Sequence, residues 1–144
     1  GFTPPDSPSG PTLPSAAVEV VIAGLEDVIA QPWGSAHHHP FPDGPAPIFT
    51  VSGVKLAAKT GTAQAPPWKR DRDGDGDVES DEQIAGLKHA WIVVLVGDLH
   101  GPWRYSIAVL LEYGGSGGRA AGPIANQVIH ALQHHGYLNG GGTE

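Results

Sequence analysis

The stretch HAWIVVLV, residues 89–96, decides the fold of this chain, because it is a nearly continuous apolar run rich in β-branched residues. Such a run predicts a central strand, and its lack of polar alternation predicts burial on both faces. Residues 105–113 form a second run of the same kind. The segment between the two runs, residues 97–103, is rich in turn residues, so we expect an antiparallel hairpin.

A third strand is expected earlier in the chain, over residues 48–51 and 54–62, with a kink at Gly53. The segments on either side of it, residues 32–47 and 63–88, are rich in proline, glycine and polar residues. Both segments are therefore expected to be loops. The result is a predicted antiparallel sheet of about three strands.

Two amphipathic helices flank these strands. Apolar residues recur at helical spacing over residues 15–30, where Ser15 is a suitable N-cap. A second apolar stripe runs through residues 121–132, and Gly136 is a plausible stop signal after it. The predicted fold class is α+β, with the N- and C-terminal helices packed on the sheet.

Composition limits the organisation and the partners of the chain. Its 144 residues suit one domain, over residues 15–144, preceded by a Pro/Ser/Gly-rich linker at residues 1–14. The absence of cysteine excludes disulfides and cysteine-ligated zinc. No apolar run reaches the roughly 20 residues that span a bilayer, no leader-like N-terminus is visible, and no basic stripe suits nucleic acid. We expect the chain to be cut from a longer protein.

Residues 59–64, KTGTAQ, carry the first candidate site, at the end of the third predicted strand. Lys59 supplies a positive charge, Thr60 and Thr62 supply hydroxyl donors, and Gly61 lets another backbone come close. This combination suits the binding of an anionic substrate. Taken alone, however, these residues favour the simpler interpretation, a strand end whose lysine and threonines face water.

Four segments together resemble a known family: VIAGLEDVIAQPWGSA, AAKTGTAQ, HAWIVVLVGDL and YSIAVLLEYGGSGGRAAGPIANQVI. In order and spacing, residues 18–133, about four-fifths of the chain, resemble the C-terminal part of a class B penicillin-binding protein. Lys-Thr-Gly is a signature of penicillin-binding proteins and serine β-lactamases. The resemblance implies a D,D-transpeptidase that cross-links peptidoglycan and is acylated by β-lactams. It also implies a partial transpeptidase/β-lactamase-like fold in the periplasm, with a parent protein anchored to the inner membrane.

The resemblance assigns a role to each residue of the strand site. Lys59 would help to hold the proton network and the negative end of the substrate. The hydroxyls of Thr60 and Thr62 would bind the terminal carboxylate of a stem peptide or of a β-lactam, and the Thr62 N–H would donate to the oxyanion. The substrate would lie along the strand edge as a further strand. The remainder of the transpeptidase domain is the other implied partner.

Two motifs of the family are missing from the chain. The letters Ser-x-x-Lys occur only at Ser52 and Lys55, on the strand run and not at the N-terminus of a helix, and Ser-x-Asn does not occur. Acyl transfer requires a serine nucleophile and its base. We therefore expect this chain to be part of a transpeptidase and to be inactive alone.

Residues 71–82, DRDGDGDVESDE, carry the second candidate site and hold seven acids and one base, a local charge of −6. They match the EF-hand calcium loop over its full length, with a glycine, Gly76, at the turn position. Oxygen ligands alone favour Ca²⁺ over transition metals. The predicted ligands are Asp71, Asp73, Asp75, Asp77 through its carbonyl oxygen, Glu79, and Glu82 as the bidentate residue.

The context of the acidic loop keeps two alternatives open. The preceding residues 65–70, APPWKR, cannot form an ordinary entering helix, so a lone structural calcium site of modest affinity is expected. The first alternative is a solvated acidic loop or a disordered linker without an ion. For the whole chain, the alternative function is a non-catalytic calcium-binding or interaction module in which the Lys-Thr-Gly strand is incidental.

Overall fold

The structure, a computed structural model, describes residues 13–138, and most of the predicted N-terminal linker lies outside these residues. The elements, in chain order, are α1 (Ser15–Ala30), β1 (His38–Phe41), β2 (Gly44–Pro47), β3 (Val54–Gln64), β4 (Trp68–Lys69), β5 (Gln83–Ile84), β6 (Lys88–Asp98), β7 (Trp103–Leu111) and α2 (Gly122–His134). A 3₁₀ turn, Ser80–Glu82, precedes β5, and one π-helical turn, Gly117–Ala121, precedes α2.

The main sheet has three antiparallel strands in the order β3-β6-β7, which confirms the predicted α+β class and strand number. The strand β6 lies in the centre and pairs with β3 along the whole length of both strands. Since β3 and β6 are antiparallel neighbours, they form one long hairpin whose tip contains residues 65–87. A bulge between Val96 and Gly97 marks the other end of β6.

The core lies on one face of this sheet. Ile92, Val94 and Val96 of β6 are completely buried there and pack with Ala125 and Ile129 of α2. These side chains alternate along β6, as expected for a strand with one covered face. Burying one such aliphatic side chain contributes about 1.5–3 kcal/mol, so the cluster stabilises the packing of α2 on the sheet.

Burial of β6 on both faces is therefore a wrong prediction. Trp91 and Val93 alternate with the core residues and are 43% and 40% exposed. The exposed face of β6 also carries apolar side chains, so the sequence shows no alternation between apolar and polar residues. Alternation reveals a one-sided strand only when the exposed residues are polar.

The helices pack on the sheet to different extents. α2 buries Gly122, Ala125 and Ile129 and continues to the predicted stop at Gly136, which has a φ of +74°. α1 has no fully buried residue, and it reaches the core only through Val28 and Ile29 near its C-terminal end. Within residues 13–138 no helix is long and apolar enough to cross a membrane.

Three local predictions were wrong. The segment 32–47 was expected to be a loop but contains the hairpin β1–β2, whereas residues 48–51 are not a strand although Ile48 and Phe49 are buried. Ser15 is the first helical residue and not the N-cap, and the N-cap, Pro14, makes no side-chain hydrogen bond. Ile48 and Phe49 are buried although they lie in a loop, and two proline-containing segments pair as strands. Both are tertiary effects, which local propensity does not predict.

Candidate functional site

The strand site lies in the second half of β3, at the edge of the main sheet. Side chains alternate along a strand, so Thr60 and Thr62 share one face while Lys59 and Gly61 share the other. Lys59 and Thr62 are exposed, whereas Thr60 and Gly61 are half-buried. The four predicted residues are thus contiguous and accessible on an edge strand.

The Lys59 ammonium donates a hydrogen bond to the backbone carbonyl oxygen of Thr60, at 2.6 Å. That acceptor is neutral, so this contact does not cancel the positive charge of the lysine. An ammonium at an exposed edge strand can attract a carboxylate, although the Lys59 side chain leaves β3 on the face opposite the two threonine hydroxyls.

Thr60 has a partner that sequence reasoning missed. Its Oγ1 lies 2.6 Å from the Oγ of Ser35, and either hydroxyl can be the donor. Ser35 follows α1 in a segment of small residues that carries no periodicity and no motif. Only a covariation or a contact map could have paired it with β3 before the structure was known.

The expected close approach of another backbone at Gly61 is present, but the glycine that it requires is Gly117. A Cβ built on Gly117 would lie 2.6 Å from the carbonyl oxygen of Gly61 and would also collide with the carbonyl oxygen of Trp91. A Cβ built on Gly61 would meet only the Cβ of Trp91, at an ordinary 3.4 Å. The π-helical turn before α2 therefore packs directly against the strand site.

The Ser52–Lys55 pair has none of the geometry of a catalytic serine and lysine. Ser52 lies just before β3, and its carbonyl oxygen accepts a hydrogen bond from Nε2 of Gln133, at 2.7 Å. The Lys55 ammonium lies over the ring of Trp103, 4.6 Å from the centroid. The two residues are held by different parts of the fold, which agrees with reading this match as coincidental.

The acidic loop is closed by its own short stem. β4 pairs with β5, and next to this pair the Arg70 N–H donates to the carbonyl oxygen of Glu82, at 3.2 Å. The Ala65 N–H donates to the carbonyl oxygen of Leu87, at 3.0 Å, between this stem and the main hairpin. The segment 63–88, predicted to be irregular, is thus a stem with a loop at its tip.

Backbone N–H groups organise the first carboxylates of the loop. Oδ1 of Asp71 accepts from the Gly74 N–H at 2.6 Å, and its Oδ2 accepts from the Gly76 N–H at 3.0 Å. Asp73 accepts from Asp75 N–H at 3.2 Å. Gly76 has a φ of +94°, the left-handed conformation expected of the glycine at the turn position.

Glu82 closes the loop and is its most buried carboxylate, at 6% exposure. Its Oε1 accepts from the Arg72 N–H at 2.7 Å, and its Oε2 accepts from the Glu79 N–H at 3.4 Å. The Arg72 hydrogen bond is the main reason why the pKa of Glu82 lies below its ordinary value, although burial acts in the opposite direction. The charged form is therefore the one that the loop favours.

Three of the predicted metal ligands converge. Asp71, Asp73 and Glu82 each offer an oxygen atom, and these atoms all lie within 4.8 Å of one another. Two oxygens bound about 2.3–2.6 Å from one calcium ion are at most about 5.2 Å apart, so one cation of this size could contact all three residues. Acidic groups this close together also occur without an ion. The remaining predicted ligands, Asp75, Asp77 and Glu79, are exposed and are not part of this group.

The chain was compared with protein families, curated proteins and solved structures. No family model matches the chain, no curated protein matches it, and no solved structure matches it.

Proposed function

We propose that this chain supplies the substrate-binding strand and the C-terminal helix of a penicillin-binding D,D-transpeptidase that acts in peptidoglycan cross-linking. The observation that carries the proposal is the accessible run of Lys59, Thr60, Gly61 and Thr62 on the edge strand β3. It is supported by the order of elements after it, which is a hairpin followed by a helix packed on the same sheet.

The chemistry of this strand suits recognition of a peptide that ends in a carboxylate. The hydroxyls of Thr60 and Thr62, on one face of β3, can donate to the two carboxylate oxygens. Lys59, on the other face, adds positive charge to the same strand edge, which attracts the anion. The free edge of β3 can pair with an extended peptide through backbone hydrogen bonds. The serine nucleophile and its base belong to the remainder of the domain, so the chain binds and orients the substrate without forming a covalent bond to it.

We further propose that the acidic loop binds one calcium ion through Asp71, Asp73 and Glu82. A bound cation would offset the repulsion among the crowded carboxylates and keep the loop in one conformation. Because the loop lies at the tip of the hairpin that contains the strand site, an ordered loop could shape access to the substrate edge.

Labelling with a fluorescent penicillin tests the transpeptidase proposal. The chain alone should not be labelled covalently, because its one Ser-x-x-Lys match, Ser52 to Lys55, does not begin a helix and Ser-x-Asn does not occur in it. The full-length gene product should contain Ser-x-x-Lys and Ser-x-Asn upstream of Gly1 and should be labelled stoichiometrically. Its Lys59→Ala variant should react about 10- to 100-fold more slowly, as expected for the loss of a charged hydrogen-bond donor. Covalent labelling of the isolated chain, or an upstream sequence without both motifs, would refute the proposal.

The second candidate is a calcium-binding interaction module without catalysis, and the convergent oxygens of Asp71, Asp73 and Glu82 favour it equally. The two candidates differ in the strand site. A module would bind calcium but would not prefer a peptide with a terminal carboxylate over the corresponding carboxamide.

A further inference from the structure

The hydroxyl pair formed by Ser35 and Thr60 has a consequence for the strand site. The two oxygens lie 2.6 Å apart, a short distance for hydroxyl groups, and the residues come from different elements. We infer that Ser35 is a positioning residue that holds the Thr60 side chain in the rotamer required to donate to an anionic ligand. The identity of the ligand, a peptide carboxylate, rests on the proposed function, whereas the pairing of Ser35 with Thr60 does not.

The backbone on both sides of Ser35 is held in place. The Gly34 N–H donates to the carbonyl oxygen of Gln31 at 2.8 Å, and the Ala36 N–H donates to the carbonyl oxygen of Val28 at 3.0 Å. Ala36 is completely buried. Ser35 is therefore attached to the end of α1 by its two neighbours, while its own side chain remains exposed.

The π-helical turn Gly117–Ala121 packs against both segments that carry the pair. A Cβ built on Gly118 would collide with the carbonyl oxygen of Ser35, just as a Cβ built on Gly117 would collide with the backbone at Gly61, next to Thr60. The turn before α2 thus contacts the Ser35 segment with one glycine and β3 with the next. This contact holds the backbone of the Ser35 segment beside the backbone of β3.

The direction of the hydrogen bond gives the pair its function. When Ser35 donates to Thr60, the Thr60 proton is free to donate outward to a carboxylate. The opposite direction leaves Thr60 without a proton for the ligand. A bound anion favours the first direction. Ser35 then donates to Thr60 and Thr60 donates to the anion, and in such a series each hydrogen bond strengthens the next.

The positioning role can be tested without any ligand. Three-bond couplings from the Thr60 methyl carbon to the backbone nitrogen and carbonyl carbon report its side-chain rotamer. We expect one rotamer in the wild-type chain, averaging in Ser35→Ala, and one rotamer again in Ser35→Thr, which restores the hydroxyl. Ser106→Ala, at an exposed serine on β7, is the matched control and should match the wild type. Averaging in the wild type, or an unchanged rotamer in Ser35→Ala, would overturn the inference.

Binding then tests the link to the ligand. Titration with N-acetyl-D-alanyl-D-alanine and with its C-terminal carboxamide, followed at the Thr60 and Thr62 amides, gives two dissociation constants. Ser35→Ala should weaken carboxylate binding by about threefold to tenfold, the range for one hydrogen bond, and leave carboxamide binding unchanged. Equal carboxylate affinities in the wild type and Ser35→Ala would refute the inference. A wild type that does not prefer the carboxylate would instead refute the proposed function, while the rotamer result would still decide the role of Ser35.

Discussion

The two candidate sites lie on the same hairpin but are held together by contacts of different range. In the acidic loop, every carboxylate that accepts a backbone hydrogen bond does so from a residue within ten positions, the longest being Glu82 with Arg72. In the strand site, Thr60 contacts Ser35, which is 25 positions away, and Gly61 contacts a turn near the C-terminal helix. The loop is therefore a local structure, and the strand site is a product of the whole fold.

This difference predicts that the two sites respond to different perturbations. Changes to the packing of the main sheet should disturb the strand site and spare the loop. Changes to the loop carboxylates should abolish ion binding and spare the strand.

The largest effect is expected for Gly117→Ala, because the new Cβ would collide with two backbone oxygens that cannot move independently. Overpacking of this kind costs about 1–3 kcal/mol, and we expect a loss of about 2 kcal/mol or more in the free energy of unfolding, measured in urea. Gly24→Ala in α1, where a Cβ would meet nothing within 4 Å, is the control and should gain up to about 1 kcal/mol. Equal stability of the two variants would show that the strand site does not depend on this turn.

The next effect is the loss of calcium binding on Glu82→Gln, measured by calorimetry at neutral pH. Removing the charge of a bidentate ligand should weaken binding by about tenfold or more, and Asp71→Ala should do the same. Asp81→Asn, an exposed neighbour outside the converging group, should bind like the wild type. The absence of calcium-dependent heat in the wild type would reject the metal site, and so would equal affinities in Glu82→Gln and Asp81→Asn.

A smaller effect is expected when residues 71–82 are replaced by a two-residue Asn-Gly turn. Since the stem ends are already hydrogen-bonded to each other, shortening the loop should change the free energy of unfolding by less than about 1 kcal/mol. The amide chemical shifts of Lys59, Thr60 and Thr62 should stay at their wild-type positions, measured by NMR without calcium. Shifts of these amides comparable to those of the stem would show that the two sites are coupled.

The smallest effect is a local acid transition of the loop in calcium-free buffer. Because the pKa of Glu82 is lower in the folded loop than in an unfolded chain, its contribution is complete above the ordinary glutamate pKa and is lost as pH falls through the lower value. Protonation weakens the hydrogen bond from Arg72, so the Arg72 amide signal should titrate in this window. In Glu82→Gln the same signal should be independent of pH there, and a persistent transition would assign it to another carboxylate.

The difference in contact range also explains what the sequence could predict. The bounds of α1 follow from periodicity and local chemistry, and so do the presence and order of the three main strands, the stop at Gly136 and the turn glycine Gly76. The converging oxygens of Asp71, Asp73 and Glu82 were predicted for the same reason. Spacing within the short loop brings these three residues together without any distant residue, but it did not predict that Asp75, Asp77 and Glu79 stay outside the group.

Features that depend on packing could not be predicted in this way. The exposure of Trp91 and Val93 depends on which layers cover the sheet, and an apolar strand does not encode this in its pattern. The pairing of Ser35 with Thr60 joins a segment of small residues to a strand that is distant in sequence. The close backbone approach at Gly61 depends on Gly117, in a turn whose packing has no local signal, and not, as predicted, on the missing side chain of Gly61.

The position of Trp91 gives the strand site an intrinsic optical reporter. This residue lies on β6 directly across from Gly61, its Cβ is 3.4 Å from where a Cβ on Gly61 would lie, and it is 43% exposed. Indole emission shifts to shorter wavelength when water around the ring is displaced. A chain in which the other tryptophans, Trp33, Trp68 and Trp103, are replaced by phenylalanine would therefore report occupancy of the β3 edge by fluorescence alone, with no label attached to either the protein or the peptide.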